Sequence, residues 1–79
     1  MNANLALAAQ RLQRAAFARF AFIGQRDAID TATVSAIDHQ LTERVNGLRA
    51  EFIAQGGTEE HADAAIARGD RQATATLDR

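Results

Sequence analysis

Two stretches of this chain repeat their apolar residues every 11 positions, and this spacing constrains the fold more than any other feature. In the first stretch Leu5 is followed 11 residues later by Ala16, and in the second Val34 is followed at the same interval by Val45. An 11-residue period is close to that of a straight α-helix, whereas a seven-residue period winds helices into a left-handed supercoil. The pattern therefore predicts two long, nearly straight helices.

Glycines divide the chain into three helical segments. Proline, the strongest helix breaker, is absent, and much of the 47% hydrophobic content is alanine, the best helix former. Gly24 and the Gly56-Gly57 pair separate helix 1 at about 4–23, helix 2 at about 31–55 and helix 3 at about 58–68. If Gly69-Asp70 does not stop helix 3, it extends to residue 77. The 79 residues are predicted to form one all-α domain.

Short polar side chains mark where the helices begin. Asn2 or Asn4 is a suitable N-cap for helix 1, Asp27 or Asp30 for helix 2, and Thr58 for helix 3. Such side chains accept hydrogen bonds from backbone N–H groups that have no partner within the helix. The three starts support the division made by the glycines.

The predicted core consists of the large apolar residues on the inward stripe of each helix. It comprises Leu5, Leu12, Phe20 and Ile23 in helix 1, Val34, Ile37, Leu41, Val45, Leu48 and Phe52 in helix 2, and Ile66 in helix 3. These stripes predict an antiparallel hairpin of the two long helices, with a short third helix folded across one end. A chain of 79 residues without cysteine has a marginal core, so we expect oligomerisation to complete it.

Helix 1 has more apolar surface than one neighbouring helix covers. Phe20 lies on the inward stripe, whereas Phe22 is two residues, or about 200°, further round the helix and points with Leu7 and Ala18. We therefore expect Phe20 inside the protomer and Phe22 at an intermolecular contact. The predicted partner interface is Leu7, Arg11, Arg14, Ala18, Phe22, Gly47, Ala50 and Ile53.

Gly47 is unusual because it lies in the interior of helix 2. A glycine there costs roughly 1 kcal/mol relative to alanine. Two interpretations remain open. Gly47 allows another helix to approach closely, or Asn46-Gly47 breaks helix 2.

The charge is unevenly distributed along the chain. Residues 1–26 hold four arginines and no acid, whereas residues 27–79 hold five arginines and ten acids, which leaves a net charge of −1. Opposite halves can pair within one chain or between two copies. This balance does not favour nucleic-acid binding, which remains the alternative through the arginines of helix 1. Association of helix 1 with a membrane surface is a second alternative, and no transmembrane segment is expected.

No residue pattern indicates catalysis or a cofactor. Ser35, Asp38 and His39 lie within one turn of helix 2, but no glycine-rich turn presents the serine and no oxyanion donor is evident. His39 and Glu43 would need a third ligand, such as His61, to hold a metal. We therefore predict no catalytic, cofactor-binding or metal-binding residues.

The remaining function class is protein–protein interaction. All nine basic residues are arginine, and this bias with abundant alanine suggests a bacterial, phage or plasmid origin. We expect a small, non-enzymatic, cytoplasmic interaction module. It would act as a homodimeric adaptor, a chaperone-like protein or an inhibitor of a larger bacterial complex, so that its partner is a second copy or a larger protein.

Overall fold

The chain forms three α-helices in a computed structural model that describes residues 3–22 and 30–77. The helices are α1 (Ala3–Phe22), α2 (Thr31–Ala54) and α3 (Glu59–Leu77). Neither of the two described ranges contains a strand, and the all-α prediction is confirmed. The ends of α1 and α2 lie one residue or less from the predicted positions. Predicted positions Asn2, Ile23, Gly24 and Asp27 lie outside the described residues.

α2 begins at Asp30, one of the two predicted caps. Its Oδ1 accepts a hydrogen bond from the Thr33 backbone N–H at 3.0 Å, and its Oδ2 accepts one from the Thr33 hydroxyl at 2.7 Å. The Thr58 hydroxyl oxygen likewise accepts from the His61 backbone N–H at 3.1 Å at the start of α3. Asn4 lies within α1 instead of preceding it.

α2 ends in a glycine turn that satisfies its last carbonyl groups. Gly56 has a φ of +104°, in the region that glycine adopts without strain. The Gly56 N–H donates to the Ile53 carbonyl and the Gly57 N–H donates to the Phe52 carbonyl, both at 3.0 Å, which is the Schellman pattern. A Cβ on Gly57 would lie 2.6 Å from Cζ of Phe52, so the ring of Phe52 packs directly on this turn.

α2 is one continuous helix through Asn46-Gly47. Gly47 is exposed, and a Cβ built on it would meet no atom within 4 Å. The structure thus contradicts the proposed break, and among the described residues Gly47 mediates no close helix approach.

α1 is the central helix of the fold. It packs most extensively against α3 and less extensively against α2, whereas α2 and α3 barely touch. α3 spans 19 residues and continues through Gly69 and Asp70 to Leu77, which matches the longer of the two predicted versions of helix 3. It runs along α1 and not across one end of it, as the short version had it. Ala62 joins Ala8 in the core, and Gly69 lies further along, beside Ala16. Residue numbers therefore increase in the same direction in α1 and α3, which makes the two helices parallel.

The contact between α1 and α3 is built from small residues. Ala62, Ala65, Gly69 and Ala73 are buried on one side of α3. A Cβ on Gly69 would lie 2.9 Å from the backbone nitrogen of Phe17, 3.0 Å from the Ala16 Cβ and closer still to the Gln13 carbonyl oxygen. The two backbones touch at this point, so Gly69 is the glycine that allows close helix approach.

The core differs from the predicted one in its outer members. Leu12, Val45 and Phe52 are fully buried, as predicted. The other predicted members in the described ranges are half-buried: Leu5, Phe20, Val34, Ile37, Leu41, Leu48 and Ile66. The physical reason is that α2 has only α1 as an extensive neighbour, while alanines of α1 and α3 occupy the most protected positions.

Candidate interaction surface

Four of the predicted interface residues form one exposed face of α1. They are Leu7, Arg11, Arg14 and Ala18, spaced four, three and four residues apart, and we call this set the α1 outer face. Residues at such spacings lie next to one another on a helix. Neither α2 nor α3 covers this side, and the molecule is only 17 Å across in its thinnest direction. These four side chains are therefore neighbours on one exposed face, and their role in binding a partner stays a prediction.

Leu7 is the large apolar side chain that the fold leaves open to solvent. It is 46% exposed, and it is the one exposed large hydrophobic residue in the described ranges. A single exposed leucine is unremarkable by itself. Its position gives it meaning, because it lines a groove of about 410 Å³ formed by Asn4, Leu7, Ala8 and Arg11 of α1 and Gln55 at the end of α2.

Phe22 is more deeply buried than Phe20, which is the reverse of the predicted order. Phe22 is buried, with 9% of its surface exposed, whereas Phe20 is half-buried. Phe22 follows Ala8 and Ala15 at intervals of seven residues, which places all three on one buried side of α1. The prediction assumed one neighbouring helix, but two helices flank α1 and bury a wider sector of it. Phe22 therefore does not belong to the α1 outer face.

The predicted interface residues of α2 do not share one environment. Gly47 and Ala50 are exposed, whereas Ile53 is half-buried and packs against the core cluster. Ile53 also supplies the carbonyl that accepts from Gly56 in the turn after α2. The apolar surface of Ile53 is thus partly covered by its own chain. α1 is the helix that has an uncovered face with both apolar and charged residues.

The charges of the α1 outer face have no counterpart in the described part of the chain. Arg11 and Arg14 make no hydrogen bond or ion pair with any residue in 3–22 or 30–77, and α1 itself contains no acid. Elsewhere an arginine has a partner: Nε of Arg49 lies 3.3 Å from Oδ1 of Asp63, joining α2 to α3. The α1 outer face therefore presents uncompensated positive charge beside an exposed leucine.

Polar side chains next to the α1–α3 contact are already engaged. The Gln13 amide nitrogen donates to Oε1 of Gln72 at 3.1 Å, and Nε of Arg68 donates to Oε1 of Gln13 at 3.2 Å. Gln13 thus links α1 to two positions of α3. The sequence reasoning missed this contact, although the spacing of Ala62, Ala65, Gly69 and Ala73 could have indicated it.

The residues weighed for catalysis and metal binding in the sequence lie on the surface of α2, apart from His61 on α3. Ser35 and His39 are exposed on α2 and Asp38 beside them is half-buried. No group of three or more His, Cys, Asp or Glu side chains in the described ranges is placed to hold a metal ion. Among the same residues, no helix has the length and apolar character needed to cross a membrane.

Comparison with known proteins leaves the surface as the guide to function. None of the protein families, curated proteins or solved structures compared with this chain matches it.

Proposed function

We propose that this protein is a non-enzymatic protein–protein interaction module that binds its partner through the α1 outer face. The observation that carries the proposal is the exposure of Leu7 in an open groove, beside two arginines that have no described partner. Apolar surface flanked by unpaired charge is typical of a recognition site, because burial supplies affinity and charge supplies orientation. An adaptor, a chaperone-like protein and an inhibitor of a larger complex would all use such a face.

Site-specific photo-crosslinking in the native cells tests the proposal. A benzophenone side chain would replace Leu7 or Ala18 on the α1 outer face, and Ala64 or Ala75 as matched exposed controls on α3. We expect discrete crosslinked products from positions 7 and 18, and none of the same mass from positions 64 and 75. Equal crosslinking from all four positions, or from none, would contradict the proposal.

Sedimentation equilibrium of the purified protein separates the two kinds of partner. A concentration-dependent dimer that Leu7→Ala weakens would identify a second copy as the occupant of the α1 outer face. A folded monomer at micromolar concentration, combined with crosslinking at position 18 in cells, would identify a different protein.

A further inference from the structure

We infer that the partner of the α1 outer face is an acidic amphipathic helix of another protein. This inference rests on the proposed function and specifies the chemistry of its partner. Three observations carry it: the charge of the face, the arrangement of its apolar residues, and the repulsion between like charges when two copies of the face are paired.

The charge pattern selects acidic side chains. Arg11 and Arg14 lie one turn apart on the same face, and α1 supplies no acid to neutralise them. Carboxylates spaced three or four residues apart on a facing helix would meet both guanidinium groups, and arginine pairs with a carboxylate through two parallel hydrogen bonds. The partner helix is therefore acidic at two successive turns.

The apolar residues select a helical partner with one large hydrophobic anchor. Leu7 lies at one end of the face, in the groove of about 410 Å³, and Ala18 lies three turns away at the other end. The groove is lined mostly by polar atoms, and Leu7 is its exposed apolar side chain, so a partner side chain would find its apolar contact on Leu7. The small methyl of Ala18 allows the partner backbone to come close. An amphipathic helix that lies along α1 meets both requirements, as in other helix-in-groove interactions.

The same face of a second copy fits this face poorly. If two α1 helices paired antiparallel with Leu7 over Ala18, Arg11 of each copy would face Arg14 of the other, and parallel pairing would place like arginines together. Such contacts repel. In addition, Leu7 is the one exposed large hydrophobic residue of the described ranges, so no other described part of a second copy offers an exposed anchor for it.

Phosphate-bearing and lipid partners are also disfavoured. A nucleic-acid surface calls for a basic face of several cations, whereas this face has two arginines on a chain of net charge −1. A helix that lies in a membrane interface needs an apolar face of several large residues, and the α1 outer face has one. The acidic helix is the partner that uses both the arginines and the leucine.

Selection from a phage-displayed library of helical peptides, randomised at outward positions, tests the inference. The baits are the wild-type protein and a variant carrying Arg11→Glu and Arg14→Glu. The matched control carries Arg44→Glu and Arg71→Glu, which makes the same change in net charge at two exposed positions on α2 and α3. Circular dichroism and the melting temperature of each bait establish that it is folded before selection.

We expect wild type to enrich peptides with two acids three or four residues apart and one large apolar residue on the same face. These peptides should bind the Arg11/Arg14 variant about tenfold more weakly or worse, and the Arg44/Arg71 control with less than about threefold change. Failure to enrich acidic peptides, or equal weakening by both double variants, would overturn the inference.

The outcomes separate this inference from the proposed function. Crosslinking at positions 7 and 18 without enrichment of acidic helices would retain the interaction surface and reject its assigned partner. A different result would be that the protein is retained on duplex DNA at low salt, that this retention depends on Arg11 and Arg14, and that no acidic peptides are enriched. That result would overturn the inference in favour of a nucleic-acid partner.

Discussion

The two sides of α1 are packed in different ways. Towards α3 the residues that α3 buries are alanines and one glycine, and the backbones touch where Gly69 meets Gln13 and Phe17. Towards α2 the contact relies on larger side chains, with Phe52 and Val45 fully buried and several neighbours half-buried. The first contact depends on the absence of side-chain volume and the second depends on its presence. Substitutions that add side-chain volume should therefore disrupt the contact between α1 and α3, whereas substitutions that remove volume should disrupt the contact between α1 and α2.

Removing volume from the α2 side should give the largest effect. Phe52→Ala would empty a completely buried aromatic site and leave the glycine turn at Gly57 without its packing partner, at a cost of about 3–5 kcal/mol in the free energy of unfolding. Chemical denaturation monitored by circular dichroism measures this loss. Phe20→Ala is the control, because Phe20 is half-buried and should lose clearly less. Equal losses would mean that burial at Phe52 does not dominate this contact.

Adding volume to the α3 side should give the next largest effect. Gly69→Ala places a methyl group against the backbone of α1, and overpacking of this kind typically costs roughly 1–3 kcal/mol, from which the better helix propensity of alanine subtracts up to about 1 kcal/mol. We expect a net loss of stability in urea denaturation. A neutral or stabilising result would show that α1 and α3 separate readily to admit the methyl group.

The same substitution at the other interior glycine should have the opposite sign. Gly47→Ala adds a methyl group where no atom lies within 4 Å, so the gain in helix propensity acts alone and should stabilise the protein by roughly 0.5–1 kcal/mol. Measured side by side, the two glycine variants separate conformational preference from steric contact. Destabilisation by Gly47→Ala would indicate a neighbour at this position that the isolated chain lacks.

The smallest predicted effect concerns the pH dependence of the start of α2. Hydrogen bonds from the Thr33 hydroxyl and then from the Thr33 backbone N–H lower the pKa of Asp30. A lowered pKa in the folded state contributes stability at pH values above the unfolded pKa, and this contribution is lost as the pH falls through the folded pKa. Asp30→Asn keeps a capping oxygen but does not titrate at this position.

Thermal melts of wild type and Asp30→Asn between pH 7 and pH 3 measure this contribution. The melting temperature of wild type should exceed that of the variant at neutral pH, and the difference should shrink below about pH 4, where aspartate ordinarily titrates. The other acids titrate in both proteins, so the difference isolates Asp30. A difference that stays constant over this range would exclude the capping carboxylate as its source.

Local signals predicted the helices well because they act within a few residues. The side chains of Asp30 and Thr58 accept hydrogen bonds from backbone N–H groups three residues further along the chain, and the N–H groups of Gly56 and Gly57 donate to the last carbonyl groups of α2. Residue types that make such bonds are visible in the sequence. The sequence predicts Leu7, Arg11 and Arg14 as interface residues, but their place on one exposed face is seen only in the structure.

The arrangement of the helices was harder to predict because periodicity identifies a buried face but not the neighbour that buries it. The stripe of α3 consists of residues such as Ala62 and Ala65, each with little apolar area, so it gave a weak hydrophobic signal beside the leucines and phenylalanines of α1 and α2. The error at Phe22 followed directly. With α3 treated as a short cap, one side of α1 was left without a neighbour, and Phe22 was assigned to a partner.

The central position of α1 also determines the order in which the fold can be completed during synthesis. α1, which packs against both other helices, is synthesised before them. α3, against which α1 packs more extensively, is synthesised after α2. Because α2 and α3 barely touch, they cannot form a stable pair that α1 joins afterwards. The side of α1 that receives Gly69 therefore stays uncovered while the intervening segment, including the 24 residues of α2, leaves the ribosome, and during that time its apolar residues are open to non-native contacts.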